Sequence, residues 1–386
     1  MEDVNKKTGL ARAKDIYDHR NKRARELKAE GKKIVGYFCC FPPVEIMTAL
    51  DFLPIRLLGD MDEPITVADG YLPTVMCIFY RSTFDLGMKG RFDFIDGFIG
   101  SHACDAAERT SYIWSNYIKT PCNFFLDLPH VNKGEAVNYF KGQLNYLKEI
   151  LEGLAGKKLG IEPLKEAIAL HNKQRKLVRE LYYLRKPDPP LINGSEVLQV
   201  IISIMMIPVE EGNELLQEVI DEVKTRHDIP DKKSGRLLIW GSLIDNIKFT
   251  DLIESSGLNI IVEDTATGTR PFWHDIEETE DPLDGVARHY LQEVKCPRTF
   301  AETDTSYRDD LENRFSYLKD FAKHWKINGV YGNIIRNCDI HGYEIPAVKD
   351  YLESLGLPVL IIEQDYSTAS LEPLRTRFQA FAETIG

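Results

Sequence analysis

Cysteine is the residue with the most chemistry to offer in this chain. Seven are scattered as Cys39, Cys40, Cys77, Cys104, Cys122, Cys296 and Cys338, with no CxxC pair among them. Thiolates ligate soft metals, and three of them from separate loops can hold one iron–sulfur cluster while one iron keeps no protein ligand. A free cysteine is equally at home as a small buried apolar residue, and spacing alone leaves both readings open. Position adds something. Cys104 follows the apolar segment FIDGFIG through Ser-His-Ala, and Cys338 follows GVYGNIIRN in the other half of the chain. Cys77 comes shortly after a Gly-Tyr-Leu-Pro turn, in the expected first turn of a helix. Open α/β sheets place their ligands at carboxyl strand ends, and a helix N-terminus favours the thiolate that a metal needs.

Other polar candidates are fewer. Glu45, after Pro42-Pro43, reads as a site acid or base, or as a carboxylate complementing a helix dipole. His102 lies two residues before Cys104 and His341 three after Cys338. Each reads either as a hydrogen-bond donor to sulfur or as a plain loop histidine. Arg270 is expected to pair with Asp264 or Glu263. No Ser–His–Asp or HExxH arrangement is visible, and no GxxxxGK[ST] loop.

The elements that must position these residues alternate. IVGYFCC (34–40), LPIRLL (53–58), FDFIDGFIG (92–100) and PCNFFLD (121–127) read as strands with helices between them. The rhythm returns from Gly235 with RLLIWGS, LNIIVED, GVYGNII and PVLIIE. Such alternation predicts an α/β fold with parallel sheets covered on both faces. Between the two sets lie long stretches with apolar residues at helical spacing, stopped by Pro187, Pro189 and Pro190. The apolar run Val197 to Val209 reads as a core helix or as an apolar wall to a site cavity. The expected division is a helical arm over 1–33, a first α/β domain over 34–134, a helical connecting region over 135–234 and a second α/β domain over 235–386.

Composition bounds the class. At 386 residues, with 43% hydrophobic and 28% charged residues, two globular domains are expected. A net charge of −12 disfavours nucleic acid, which needs a basic face. The charged N-terminal segment has no apolar signal-like core, and the longest apolar run is too short to span a bilayer. A cytoplasmic protein with reduced thiols and no membrane partner is therefore expected.

The segments FPPVEIMTALDFLPIRL, LPTVMCIFYRSTFDLG, FDFIDGFIGSHACDAAERTS, VEDTATGTRPFW, NCDIHGYEIPAVKDYLESLGLPVLIIEQDY and LEPLRTRFQAFAE occur in this order from about residue 34 to the end. Together they resemble the 2-hydroxyacyl-CoA dehydratase and ATP-dependent benzoyl-CoA reductase family, and in length the chain is similar to its smaller core subunits. The resemblance implies two flavodoxin-like domains and a [4Fe–4S] cluster ligated by Cys77, Cys104 and Cys338. It implies a homologous larger core subunit that binds the acyl-CoA thioester, ATP-hydrolysing activator subunits, and ferredoxin as electron donor. For a reductase it implies reduction of benzoyl-CoA to cyclohexa-1,5-diene-1-carbonyl-CoA, the cluster relaying single electrons. A radical lyase, the small subunit of a dehydratase, and a non-catalytic flavodoxin-like scaffold are the alternatives. An apolar shell around the ligands, including Ile78, Phe79 and Phe98, is expected to suit a low-potential cluster. Cys39 and Cys40 are expected to line the site, Cys122 to be buried at a strand start, and Cys296 to have no evident partner.

Overall fold

The computed structural model describes residues 7–300 and 305–386. Among these, eight strands form two separate four-stranded sheets, all parallel. The first sheet contains β1 (Ile34–Tyr37), β2 (Leu53–Arg56), β3 (Gly97–Ser101) and β4 (Cys122–Leu126) in the order β2-β1-β3-β4. The second contains β5 (Gly235–Gly241), β6 (Leu258–Asp264), β7 (Gly329–Ile335) and β8 (Val359–Gln364) in the order β6-β5-β7-β8. Both are the flavodoxin-like arrangement, in which the chain reverses direction across the sheet between its first and third strands.

Helices cover the sheets. α1 (Gly9–Asp18) and α2 (Lys22–Ala29) precede the first unit, which carries α3 (Val44–Ala49), α4 (Ile78–Met88) and α5 (Asp105–Tyr117). α6 (Ala136–Ala155), α7 (Ile161–Tyr183), α8 (Gly194–Ile204) and α9 (Val209–Thr225) follow. The second unit carries α10 (Ile247–Ser255), α11 (Pro282–Arg288), α12 (Tyr307–Trp325), α13 (Asp339–Ser354) and α14 (Glu372–Ile385). Strands β5, β6 and β7 are buried along their whole length, as parallel strands sandwiched by helices must be, whereas the edge strands β4 and β8 are partly exposed.

Local sequence explains the boundaries. Asn193 and Glu196 form a capping box that starts α8, each side chain accepting from the other's backbone N–H. α6 ends on Gly156 in the left-handed region. The expected strand 92–100 is shorter: Phe92, Phe94 and Ile95 turn inwards as buried loop residues, and β3 begins only at Gly97. Val197 to Ile204 is a core helix, buried at every position but Gln199, while Ile204, Met205 and Ile207 at its far end border a small cavity.

Two buried ion pairs tie the helical layer to both units. Arg175 in α7 binds Glu45 in α3, and Arg185, just beyond α7, makes a two-pronged contact with Glu263 in β6 at 2.8 and 2.6 Å. The C-terminal part of α7 and the residues just beyond it thus tie the two units together, through a single contact to α3 and a fork-like one to β6.

Candidate functional site

Cys77, Cys104 and Cys338 are each the N-cap residue of a helix: α4, α5 and α13 respectively. Cys104 and Cys338 stand at the same place in their units, three residues beyond the last residue of β3 and β7. Tight helix–strand packing sets the first of these. A side chain at Gly100 would meet the Ser111 hydroxyl of α5 at 2.1 Å, so glycine there lets α5 lie against β3. The Cys104 sulfur in turn accepts the Ala107 N–H at 3.4 Å.

Cys77 and Cys338 come from different units and are joined by backbone contacts. Asn337 sits in the left-handed region (φ 63°), which asparagine tolerates, and donates its amide to the carbonyls of Thr74 and Met76 at 3.2 and 3.4 Å. The Ile78 N–H donates to the Arg336 carbonyl at 3.4 Å. These contacts bring the two thiols into one neighbourhood. A hydrogen bond with Cys338, and then burial, pushes the Cys77 thiol up, and the same contact holds Cys338 well below the usual thiol range. Cys104 is raised by burial first and by the charge of Cys338 second.

Cys338 has further support. Arg270 Nη1, which can only donate, lies 2.9 Å from His341 Nε2, so the imidazole proton resides on Nδ1. That nitrogen lies 3.3 Å from the Cys338 sulfur and donates to it. Arg270 is held by the Asp264 carboxylate at 3.2 Å and the Asp264 carbonyl at 2.9 Å. The Tyr317 hydroxyl donates to the same carboxylate at 2.8 Å. Asp264 is therefore the partner of Arg270, and Glu263 belongs to Arg185.

The surroundings differ from an apolar shell. Phe79 and Phe98 are buried, with Phe98 stacked on Trp114 at 4.8 Å, as the pattern of apolar residues leads one to expect. Yet three buried guanidiniums also face the thiols. Arg56 and Arg270 lower the Cys39 thiol, although its hydrogen bond with Cys40 is the larger cause. Arg298 feels Cys296, Cys39, Cys104 and Cys40. These arginines are far apart in sequence, and only the fold assembles them. Cys296 is drawn into this neighbourhood by Arg270 and Arg298, a grouping that its place in a charged connection concealed. Cys39, at φ 61°, and Cys40 follow β1. Cys122 opens the edge strand β4 and is half-buried, since no further strand covers that edge.

His102 is committed elsewhere. His130 Nδ1 must donate to the Arg298 carbonyl at 3.0 Å, so His130 Nε2 accepts from His102 Nε2 at 3.2 Å. His102 Nδ1 meets Asp127 at 3.1 Å, and Tyr139 donates to the other Asp127 oxygen at 2.6 Å. Both ring nitrogens are thus engaged, and neither is left for the sulfur of Cys104. Glu45 is fully buried between Arg175 and the Tyr290 hydroxyl, which donates at 2.9 Å. Burial pushes its carboxyl up, but Arg175, His171 and His289 overcome this and hold it at about 2. Such a carboxylate serves as a structural anion and is a poor proton carrier near neutrality.

The residues fit an iron–sulfur cluster through their donor chemistry. Three thiols cap three helix N-termini, Cys104 accepting a cap N–H there, and buried cations lie nearby to offset thiolate charge, as metal binding to thiols that burial and their neighbours otherwise hold protonated requires. Among the described residues, no three His, Cys, Asp or Glu side chains converge closely enough to hold a single ion. None of the described helices is long and apolar enough to cross a membrane.

The chain is 25% identical to one of the benzoyl-CoA reductase subunits of Thauera aromatica over 383 residues, covering 97% of each. It is 25% identical to the (R)-phenyllactyl-CoA dehydratase beta subunit of Clostridium sporogenes, covering 96% of this chain and 97% of that one. To the (R)-2-hydroxyglutaryl-CoA dehydratase beta subunit of Acidaminococcus fermentans it is 24% identical, covering 93% and 94%. The family model described as 2-hydroxyglutaryl-CoA dehydratase, D-component, matches residues 39–385, and with this match over nearly its whole length the chain belongs to that family.

Proposed function

We propose that this chain is a core subunit of an ATP-dependent, ferredoxin-driven aryl-CoA reductase, with Cys77, Cys104 and Cys338 holding a [4Fe–4S] cluster. The observation that supports the reading is that Cys77, Cys104 and Cys338 each cap a helix N-terminus, with the segment around Cys77 hydrogen-bonded to the one before Cys338. The likeness to the Thauera aromatica benzoyl-CoA reductase chain supports the reductase form. When bound, such a cluster supplies a one-electron carrier.

This chain's own residues hold and shape the site. His341 donates to the Cys338 sulfur, and Arg270, fixed by Asp264, keeps the imidazole in the tautomer that can do so. Arg56, Arg270 and Arg298 compensate thiolate charge, while Phe79, Phe98 and Trp114 keep water from the sulfurs. On this reading the acyl-CoA thioester sits on a homologous, larger subunit, and this chain walls one side of the active site. ATP is hydrolysed by separate activator subunits, and a cytoplasmic location follows from ferredoxin as donor.

A second reading is the small subunit of a 2-hydroxyacyl-CoA dehydratase. The family description and the dehydratase names of relatives at equal identity favour it. The discriminating experiment is anaerobic reconstitution with the partner and activator subunits, assayed with benzoyl-CoA and with a 2-hydroxyacyl-CoA. Reduction of benzoyl-CoA is expected. Turnover of the hydroxyacyl ester alone establishes the second reading, and an iron-free complex sinks both.

A further inference from the structure

Arg56, the last residue of β2, is a buried guanidinium without an ionic partner among the described residues. It is 2% exposed, its Nε meets no acceptor, and its guanidinium carbon lies 5.8 Å from the centre of the Tyr37 ring. The other buried arginines among the described residues are tied down. Arg81, Arg175, Arg185 and Arg270 bind carboxylates, and Arg236 and Arg298 bind carbonyls. A buried donor of this strength calls for an acceptor.

Arg56 stands between the small cavity beside Tyr37 and His171 and a cleft of about 600 Å³ formed by the α1–α2 arm, the loop after β2 and the loop after β5. A second guanidinium reaches the same space. Arg20 donates to the Asp245 carbonyl at 2.6 Å, stacks on Tyr17, and likewise has no carboxylate partner among the described residues. The remaining cations of the cleft are already neutralised, Lys14 by Asp18, Lys248 by Asp62 and Arg91 by Glu63. Asp60 and Asp245 share the floor, and Asp251 lies on the rim. Asp245 is pushed up to about 6 by burial and accepts from Tyr366, with no ion pair to Arg56 or Arg20.

We propose that Arg56 and Arg20 form an oxyanion site in this cleft, taking the carboxylate or phosphate group of a small molecule. A guanidinium presents paired N–H donors that match such oxygens. The cleft volume exceeds a bare ion and falls within roughly 300–1,000 Å³, the range of small-molecule sites, so the oxyanion is one end of a larger ligand. Asp60, which also lines the cleft, offers a carboxylate acceptor to its donor groups. The site uses none of the three helix-capping thiols, and although Arg56 also offsets thiolate charge in the proposed function, anion binding is read apart from iron content, so the two readings fail separately.

The test is the thermal unfolding midpoint of the full chain, titrated with sodium phosphate and with sodium acetate against sodium chloride at matched ionic strength. A saturable rise with one anion is expected. Phosphate alone identifies a phosphorylated ligand, and acetate alone a carboxylate ligand. Arg56→Met should weaken the apparent affinity at least tenfold while raising the midpoint at low salt, because it removes an unpaired buried charge. Should that variant not fold, Arg20→Gln, reaching the cleft from the arm, should show the same loss. No saturable rise with either anion, or an undiminished rise in the folded variants, overturns the proposal.

Discussion

The two sheets share one strand order, yet they contribute unequally to the site. The loops of the first unit supply Cys77 and Cys104, with Cys39 and Cys40 after β1. The second supplies Cys338 at a strand end and Cys296 on a connection, and at the place after β5 that matches the Cys39 loop it carries Ser242, whose hydroxyl accepts the Ile335 N–H at 3.2 Å. What the second unit adds is polar control: Asp264, Arg270 and His341 aligned on one sulfur. The same switch-point geometry thus gives thiols on one side and the groups that govern a thiol on the other. Topology decides where a side chain can act, and the residue placed there decides how.

The largest effects are expected at the clamps. Glu45→Gln leaves Arg175 buried without its counter-charge, and Glu263→Gln does the same to Arg185. Each should cost about 3–5 kcal/mol in urea unfolding at pH 7. If one costs nothing, α7 does not clamp both units. Trp114→Ala removes a fully buried ring of α5 stacked on Phe98, and should also cost about 3–5 kcal/mol.

Acid sensitivity should centre on the first clamp. Burial holds His171 at about 4 and His289 at about 3, both below the ordinary 6.5. The unfolded chain binds these protons first, so the stability they contribute is complete above about 6.5 and lost as pH falls. Glu45, held at about 2 against 4.5, adds a further loss as pH falls below 4.5. Glu254 in the second unit works in the opposite sense: burial raises it to about 7, so its contribution is present below 4.5 and lost as pH rises. His171→Gln keeps reach to the Thr48 hydroxyl. Its stability should fall less steeply between pH 6.5 and 4, by up to about 1.4 kcal/mol per pH unit. An unchanged slope would show that His171 is not held neutral.

A smaller effect is expected at His341. His341→Phe removes the donor to Cys338, and on the proposed function it should lower the reduction potential by something on the order of tens of millivolts while iron is retained. Arg270→Met should follow it in direction. An unchanged potential in both would leave that alignment structural only. Cys122→Ser, on the half-exposed edge strand, should change stability by less than about 0.5 kcal/mol and leave iron unchanged.

Much of this was legible in the chain. Period and punctuation located all eight strands, and strand-end position singled out Cys104 and Cys338. Local pattern could not show what depends on distant pairing. Glu45 looked like a helix-start carboxylate because its partner Arg175 lies 130 residues away. His102 read either as a donor to sulfur or as a plain loop histidine because Asp127 and His130 join it only once β3 and β4 pair. Cys296 looked isolated because Arg270 and Arg298 meet it only in the folded chain.

The central claim concerns three particular thiols. Iron and acid-labile sulfide should therefore be measured on anaerobically purified Cys77→Ser, Cys104→Ser, Cys338→Ser and Cys122→Ser variants of the complex, with circular dichroism confirming the fold of each. The account predicts near-complete loss of iron and sulfide in the first three and full retention in the fourth. Undiminished iron and sulfide in the Cys77, Cys104 and Cys338 variants would contradict it.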